Sequence, residues 1–229
     1  MPNAELEHLR NFTAASRRGG FNVPLFRLDG NSGEFKRTSK QHPDPMNGQI
    51  LASDPGDLIT GWQRFQNNMP ILQVGRAADG YQPAAREQLG DLPEPGDKDP
   101  WQRVDFLPFW SPESREVLLF TASNQGSRDA VANLVDAYCN NLAEHPEDQN
   151  KVPLIELGTD SYKNTHGKQI FVPIFDINDW IERPAAVRRV LPPPVKMLNL
   201  TALPAPAPVI SPKHPDRSSV GDTDDGIPF

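Results

Sequence analysis

Between residues 20 and 182, apolar and polar positions alternate in short runs broken by Gly, Pro, Asn and Asp. That is the period of half-buried β-strands and their turns. Residues 21–28 read as a strand, which Pro24 confines to an edge or a strand start. Asp29-Gly30-Asn31 and Ser32-Gly33 are turn chemistry, and residues 34–37 return as a second strand. Residues 49–52, 58–65 and 71–74 follow as further strands. In the second of these, Trp62 and Arg64 fall on one face and Gln63 and Phe65 on the other. The strongest β signal is the pair 101–110 and 116–122, joined by the turn-like Ser111-Pro112-Glu113-Ser114.

The period then changes. Ala130, Val131, Leu134, Val135, Tyr138 and Leu142 recur at helical spacing, which predicts a helix from about Ser127 to Glu144. Ser127 is an N-cap type, and His145-Pro146 ends the element. Cys139 lies beside the apolar face and is expected to be a small buried thiol. Residues 153–157 and 168–177 close the domain as a hairpin whose tip carries Tyr162, Lys163 and His166. Phe106, Phe120, Phe171 and Phe175 are expected in the core.

This order predicts a mainly β domain with one helix. An OB-fold places its helix between its third and fourth strands, and the predicted helix falls in that slot. The expectation is an elaborated OB-fold-like barrel over 20–182, with strands 20–28/33–37, 58–74, 101–110 and 116–122 supplying its first part. A different small β-barrel or an α+β sandwich gives a similar string. Residues 75–100 are rich in Pro, Gly and acids and show no period, the mark of a long functional or disordered loop. Residues 1–19 read as a flexible arm. Residues 183–221 include Leu191-Pro192-Pro193-Pro194 and a Pro/Ala run at 203–208, and read as a disordered Pro-rich linker.

Composition narrows the function classes. The chain has 229 residues, 25 of them Pro, and no apolar run of membrane-spanning length. Neither a signal peptide nor a membrane partner is expected. One cysteine excludes an internal disulfide framework and a multi-Cys zinc site, and a reducing cytoplasm is the simplest compartment. Net charge is −7; residues 183–229 hold six bases and four acids, or +2, which leaves −9 for residues 1–182. Nucleic-acid affinity comes largely from Lys and Arg, so a body of that balance must gather its basic groups on one face to bind phosphates.

The chain end, 222–229, is the most specific stretch. Asp222, Asp224 and Asp225 precede an apolar hook, Ile227-Pro228-Phe229. Pro228 biases the hook toward an extended backbone. Such a peptide suits a pocket with an apolar floor and a basic rim. The tip resembles the acidic C-terminal tip of bacterial and phage single-stranded DNA-binding proteins (SSBs), which ends in several Asp followed by Ile-Pro-Phe. Gly226 departs from that pattern, standing where another acid is usual. The resemblance covers only the tip. It implies recruitment of replication, recombination and repair enzymes, and members of that family are often acidic overall.

The body is similar to a group of phage and prophage proteins at Gly61-Trp62-Gln63-Arg64-Phe65, at Arg86-Glu87-Gln88-Leu89-Gly90-Asp91 and at Asp99-Pro100-Trp101-Gln102. Gly126-Ser127-Arg128, Gly167 and Pro173-Ile174-Phe175 look alike too. That similarity implies a mobile-element setting and brings no activity with it.

An OB barrel that binds single strands needs aromatics to stack on bases and cations along the backbone track. The aromatic–basic candidates are Trp62/Arg64/Phe65, Trp101/Arg103 and Tyr162/Lys163 near Lys168, with Arg76, Tyr81 and Arg86 on the long loop. The expected partners are single-stranded DNA and, through the tip, enzymes with a basic-rimmed apolar pocket; a homo-oligomer is compatible. No cofactor, metal or catalysis is expected, since neither a phosphate loop nor a Gly-x-Ser-x-Gly elbow is present and the His residues are scattered. Two alternatives remain open: an adaptor that docks replication enzymes without binding DNA, and a Mg²⁺-dependent nuclease built on Glu156, Asp160 and Lys163.

Overall fold

The structure is a computed structural model that describes residues 21, 23–38, 45–67 and 69–185. The predicted N-terminal arm and docking tip lie outside the described residues, as does the linker beyond 185. Nine strands and one α-helix make up the described part: β1 (Leu25–Asp29), β2 (Glu34–Arg37), β3 (Ile50–Ser53), β4 (Ile59–Gln66), β5 (Met69–Arg76), β6 (Gln102–Trp110), β7 (Val117–Ala122), α1 (Gln125–Glu144), β8 (Lys151–Lys163) and β9 (Gln169–Glu182).

The hub is β6. One of its edges runs along β7, with Asp105 opposite Ala122 and Trp110 opposite Val117. Its other edge is shared: Gln102–Phe106 pairs with β4, and Phe109–Trp110 pairs with β3. β3 and β4 therefore act as one strand, interrupted by a 3-10 turn at Pro55–Asp57. Pro55 has no N–H to give to a ladder, and the turn lets the chain leave the sheet and rejoin it. Beyond the interruption the sheet forks. β3 leads into β8 and β9, whereas β4 leads into β5.

Taken as a unit, β3/β4 followed by β6, β7, α1, β8 and β9 has the connections of an OB-fold, with the helix between the third and fourth strands. The result is mainly β with one helix, an open mixed sheet consistent with an OB-like barrel. The opening lies where β7 and β9 would pair. β1 occupies that slot, running parallel to β7 with Leu25 beside Leu119 and Phe26 beside Phe120. From the other side, Phe171 of β9 donates its N–H to Gly30 O at 3.0 Å. The first hairpin is thus the plug of the barrel rather than its opening strands, which corrects the sequence expectation. Alternation shows that 25–29 and 34–37 pair, but it carries no information about which sheet edge they join.

Two apolar clusters hold the sheet. The inner one gathers Phe26, Phe109 and Phe120 with α1 residues Val131 and Leu134 and β8 residues Ile155 and Leu157. Phe26 and Phe109 stack edge to face at 5.3 Å, as do Phe120 and Phe175 at the same distance, the geometry that ring quadrupoles favour. Phe120 is fully buried, while Phe171 and Phe175 pack against this core half-buried. The second cluster lies on the opposite face, where Ile59, Val74, Val104, Phe106 and Leu119 are buried. Phe21 covers it, its ring 4.5 Å from that of Phe106.

Three local expectations are corrected. The helix begins at Gln125 and its N-cap is Asn124, whose Oδ1 accepts from the Ser127 N–H at 2.9 Å. Cys139 is exposed, because the buried stripe of α1 is narrow (Val131, Leu134 and Tyr138) and Cys139 stands one step past it. The domain also runs past 182. Arg183 reaches buried Asp54 at 3.2 Å and donates to the Tyr138 hydroxyl at 2.7 Å, tying the end of β9 to the fork and to α1. Among the described residues no helix is long and apolar enough to cross a membrane.

Candidate nucleic-acid interface

The sequence candidates separate into two places with different environments. The first is the face of β5, β4 and β6 that carries Trp62. Cross-strand register sets Gln73, Trp62 and Arg103 in one row. The Arg103 guanidinium lies 5.4 Å from the Trp62 ring centroid and donates to Thr60 Oγ1 at 3.2 Å. The Arg64 guanidinium lies 4.9 Å from the Trp101 ring. Tyr81 stacks across Gly75, where a Cβ would stand 2.4 Å from the ring, and its hydroxyl donates to Gln73 O at 3.0 Å. Burial of that phenol raises its pKa.

Segment 77–100, which lacked any period, folds back over this face. Trp62 Nε1–H donates to Ala84 O at 3.0 Å, and Arg64 pairs with Asp91. Arg86 spends its whole guanidinium within the segment, with two bonds to Asp99 at 2.5 and 2.6 Å and one each to Gly90 O and Asp91 O at 2.8 Å. The hydrogen bonds from Arg86, the leading cause, hold the Asp99 carboxyl below its usual range. Trp101 is 2% exposed, and Leu89, within the segment, is buried. Trp62, Arg64, Tyr81, Arg86, Trp101 and Arg103 are therefore brought together, held by ring–guanidinium contacts among themselves and by bonds to Thr60, Gln73, Ala84, Gly90, Asp91 and Asp99. Arg76 is apart from them, 3.6 Å from Asp57 on the other face of the sheet.

The second place is the β8–β9 hairpin tip. Asn164 builds its turn: its side-chain oxygen accepts from the N–H groups of His166 and Lys168 at 3.0 Å each. Gly167 closes the turn at φ +75°, a conformation that favours glycine. The strands below are paired without a break from Ile155 and Ile177 up to the turn, with Tyr162 opposite Ile170 and Lys163 opposite Gln169, and Gln169 donates to Ser161 Oγ at 3.0 Å. On this rigid stem Tyr162 is 54% exposed. Lys163 and Lys168 are exposed and form no ion pair among the described residues. In OB terms this is the loop between the fourth and fifth strands, one of the positions at which that fold binds oligonucleotides. Phe65, 64% exposed on the β4–β5 hairpin, is the other open aromatic among the described candidates; it belongs to the excursion between the first and second OB strands.

Glu156 and Asp160 do not converge on a metal. Four residues apart on β8, they are separated by roughly 13 Å at the rise of a strand, and Lys163 falls on the opposite face. Among the described residues no group of three or more His, Cys, Asp or Glu is placed to hold a metal ion.

Sequence reasoning missed the acids that neutralise the first place. Asp91 and Asp99 sit 27 and 13 residues from their arginines, a separation without local periodicity. The Arg86…Asp91 and Asp99…Trp101 phrases were the available signal, since they hold partners of opposite charge around the same rings. Comparison of the chain with protein-family models, curated proteins and solved structures returns no match in any of the three.

Proposed function

We infer that this protein is a non-catalytic single-stranded DNA-binding protein that coats the strand and recruits replication, recombination or repair enzymes through its C-terminal tip. The observation that carries the DNA half is the β8–β9 tip. It pairs an exposed tyrosine with two lysines that form no ion pair among the described residues, on a paired stem, at an oligonucleotide-binding position of an OB-like sheet. Stacking on a ring is indifferent to base identity, which fits coating rather than sequence reading. The recruiting half rests on the sequence Asp224-Asp225-Gly226-Ile227-Pro228-Phe229 and on the Pro-rich composition ahead of it.

A second reading, an adaptor that docks enzymes without touching DNA, is favoured by one observation. Four of the aromatic and basic candidates, Trp62, Arg64, Tyr81 and Arg86, are occupied by the protein's own acids and carbonyls. Titration of labelled poly-dT with the full chain at low and moderate salt separates the two. Binding that weakens with salt supports the first. No binding at low salt leaves the adaptor. In either case, deletion of Phe229 is expected to abolish enzyme recruitment; under the first reading it leaves DNA affinity intact or slightly raised.

A further inference from the structure

An open cavity of about 590 Å³ lies where the β1–β2 hairpin meets the end of β7 and the start of α1. Its lining is polar: Arg27, Lys36 and Arg37 contribute positive charge against the one carboxylate of Asp29, Thr38, Thr121 and Ser123 contribute hydroxyls, and Leu28 is the only large apolar side chain. Arg27 stands directly opposite Lys36 across the hairpin. Like charges so placed repel each other unless carboxylates balance them. The side chains of Lys36 and Arg37 are held by carboxylates, Lys36 by Asp29 and Glu34 at 3.1 and 2.9 Å and Arg37 by Glu116 at 2.8 Å. Arg27 is exposed and has no side-chain partner among the described residues. Phe26 lies beside Phe120, which sets Arg27 beside Thr121. Thr121 Oγ1 is buried without a hydrogen-bond partner.

We propose that this cavity seats a phosphate group, with Arg27 as its cation and the Thr121 and Ser123 hydroxyls as donors, and that the phosphate is supplied by the backbone of a bound single strand. For that source the proposal rests on the DNA-binding reading above. The strand has a short way to travel: Phe171, which bonds Gly30 in the cavity wall, is adjacent to Ile170, the cross-strand partner of Tyr162. The hairpin tip offers a ring for a base, and the cavity offers a seat for a phosphate along the same path. Arg27 is built to engage two phosphate oxygens at once, as a planar guanidinium does.

The test uses the full chain and the variants Arg27→Gln, Thr121→Val and Tyr162→Ala, each checked for an unchanged melting temperature. A labelled dT oligonucleotide is titrated at several salt concentrations, and inorganic phosphate is titrated separately by thermal shift. Arg27→Gln is expected to weaken oligonucleotide binding several-fold and to flatten the slope of log K against log salt by about 0.7, one phosphate's worth. Tyr162→Ala is expected to weaken binding with the slope unchanged. If Arg27→Gln leaves oligonucleotide binding untouched but removes a phosphate-induced stabilisation seen in the wild type, the seat stands and its source is free phosphate. If neither readout responds to Arg27→Gln, the proposal is overturned, while a Tyr162→Ala effect would leave the DNA-binding reading intact. A wild type that binds no oligonucleotide at low salt defeats that reading, and the phosphate arm alone then decides the cavity.

Discussion

The β4–β5–β6 face and the β8–β9 tip begin from the same ingredients, aromatic rings interleaved with Arg or Lys, and end in opposite states. Around Trp62 and Trp101 every guanidinium of the cluster has a ring, a hydroxyl, a carboxylate or a carbonyl, and segment 77–100 supplies much of it. Around Tyr162 the lysines have no such partner among the described residues and the ring is exposed. The difference follows from what the chain places nearby. Residues 77–99 carry six acids against two bases and fold onto the first face, whereas the tight turn at Asn164–Lys168 leaves nothing to cover the second. An aromatic–basic pattern is thus a statement about composition, and the charge of the adjoining segment decides whether it is locked or left open to solvent.

The sharpest way to break the contrast is to truncate one ring in each place. Trp101→Ala removes a buried indole and is expected to cost about 3–5 kcal/mol of stability, read as a drop in the urea midpoint. Tyr162→Ala is expected to change stability by no more than about 0.5 kcal/mol, while reducing affinity for poly-dT by roughly 1–3 kcal/mol. Equal stability losses would erase the distinction. Next in size is the Arg86–Asp99 pair. Its carboxyl has a lowered folded pKa, so its contribution is present above the unfolded carboxylate value of about 3.9 and is lost as pH falls through the folded one. The stability gap between wild type and Asp99→Asn is expected to close in that acid window, as followed by thermal melts from neutral pH downward; a constant gap would refute the assignment. The smallest effect is electrostatic: Lys163→Gln and Lys168→Gln are each expected to flatten the salt dependence of poly-dT binding by about 0.7 in slope, whereas Arg64→Gln is expected to leave that slope alone.

Strand and helix identities were legible wherever packing is local. The β6–β7 hairpin and the buried stripe of α1 appear in the sequence because neighbours in the chain are neighbours in space. The helix start was misplaced because Asn124 and Ser127 are both capping types, and only geometry shows which oxygen receives the N–H. Legibility failed where distant segments meet. Nothing near Leu25 announces Leu119 as its parallel partner, and nothing near Arg64 announces Asp91. The β8–β9 tip was readable, since Asn164, Gly167 and the flanking alternation specify a turn that displays its neighbours.

The fork at Asp54–Leu58 also sets an order of events during synthesis. β3 needs Ala52 against Trp110 on one edge and Leu51 against Ile155 on the other. The nascent chain must therefore hold β3 unsatisfied while about a hundred further residues are made, at a ribosomal pace of roughly 5–20 residues per second. Pulse-labelled hydrogen exchange is expected to find β6–β7 protected early and β3 late, since long-range pairing waits on loop closure.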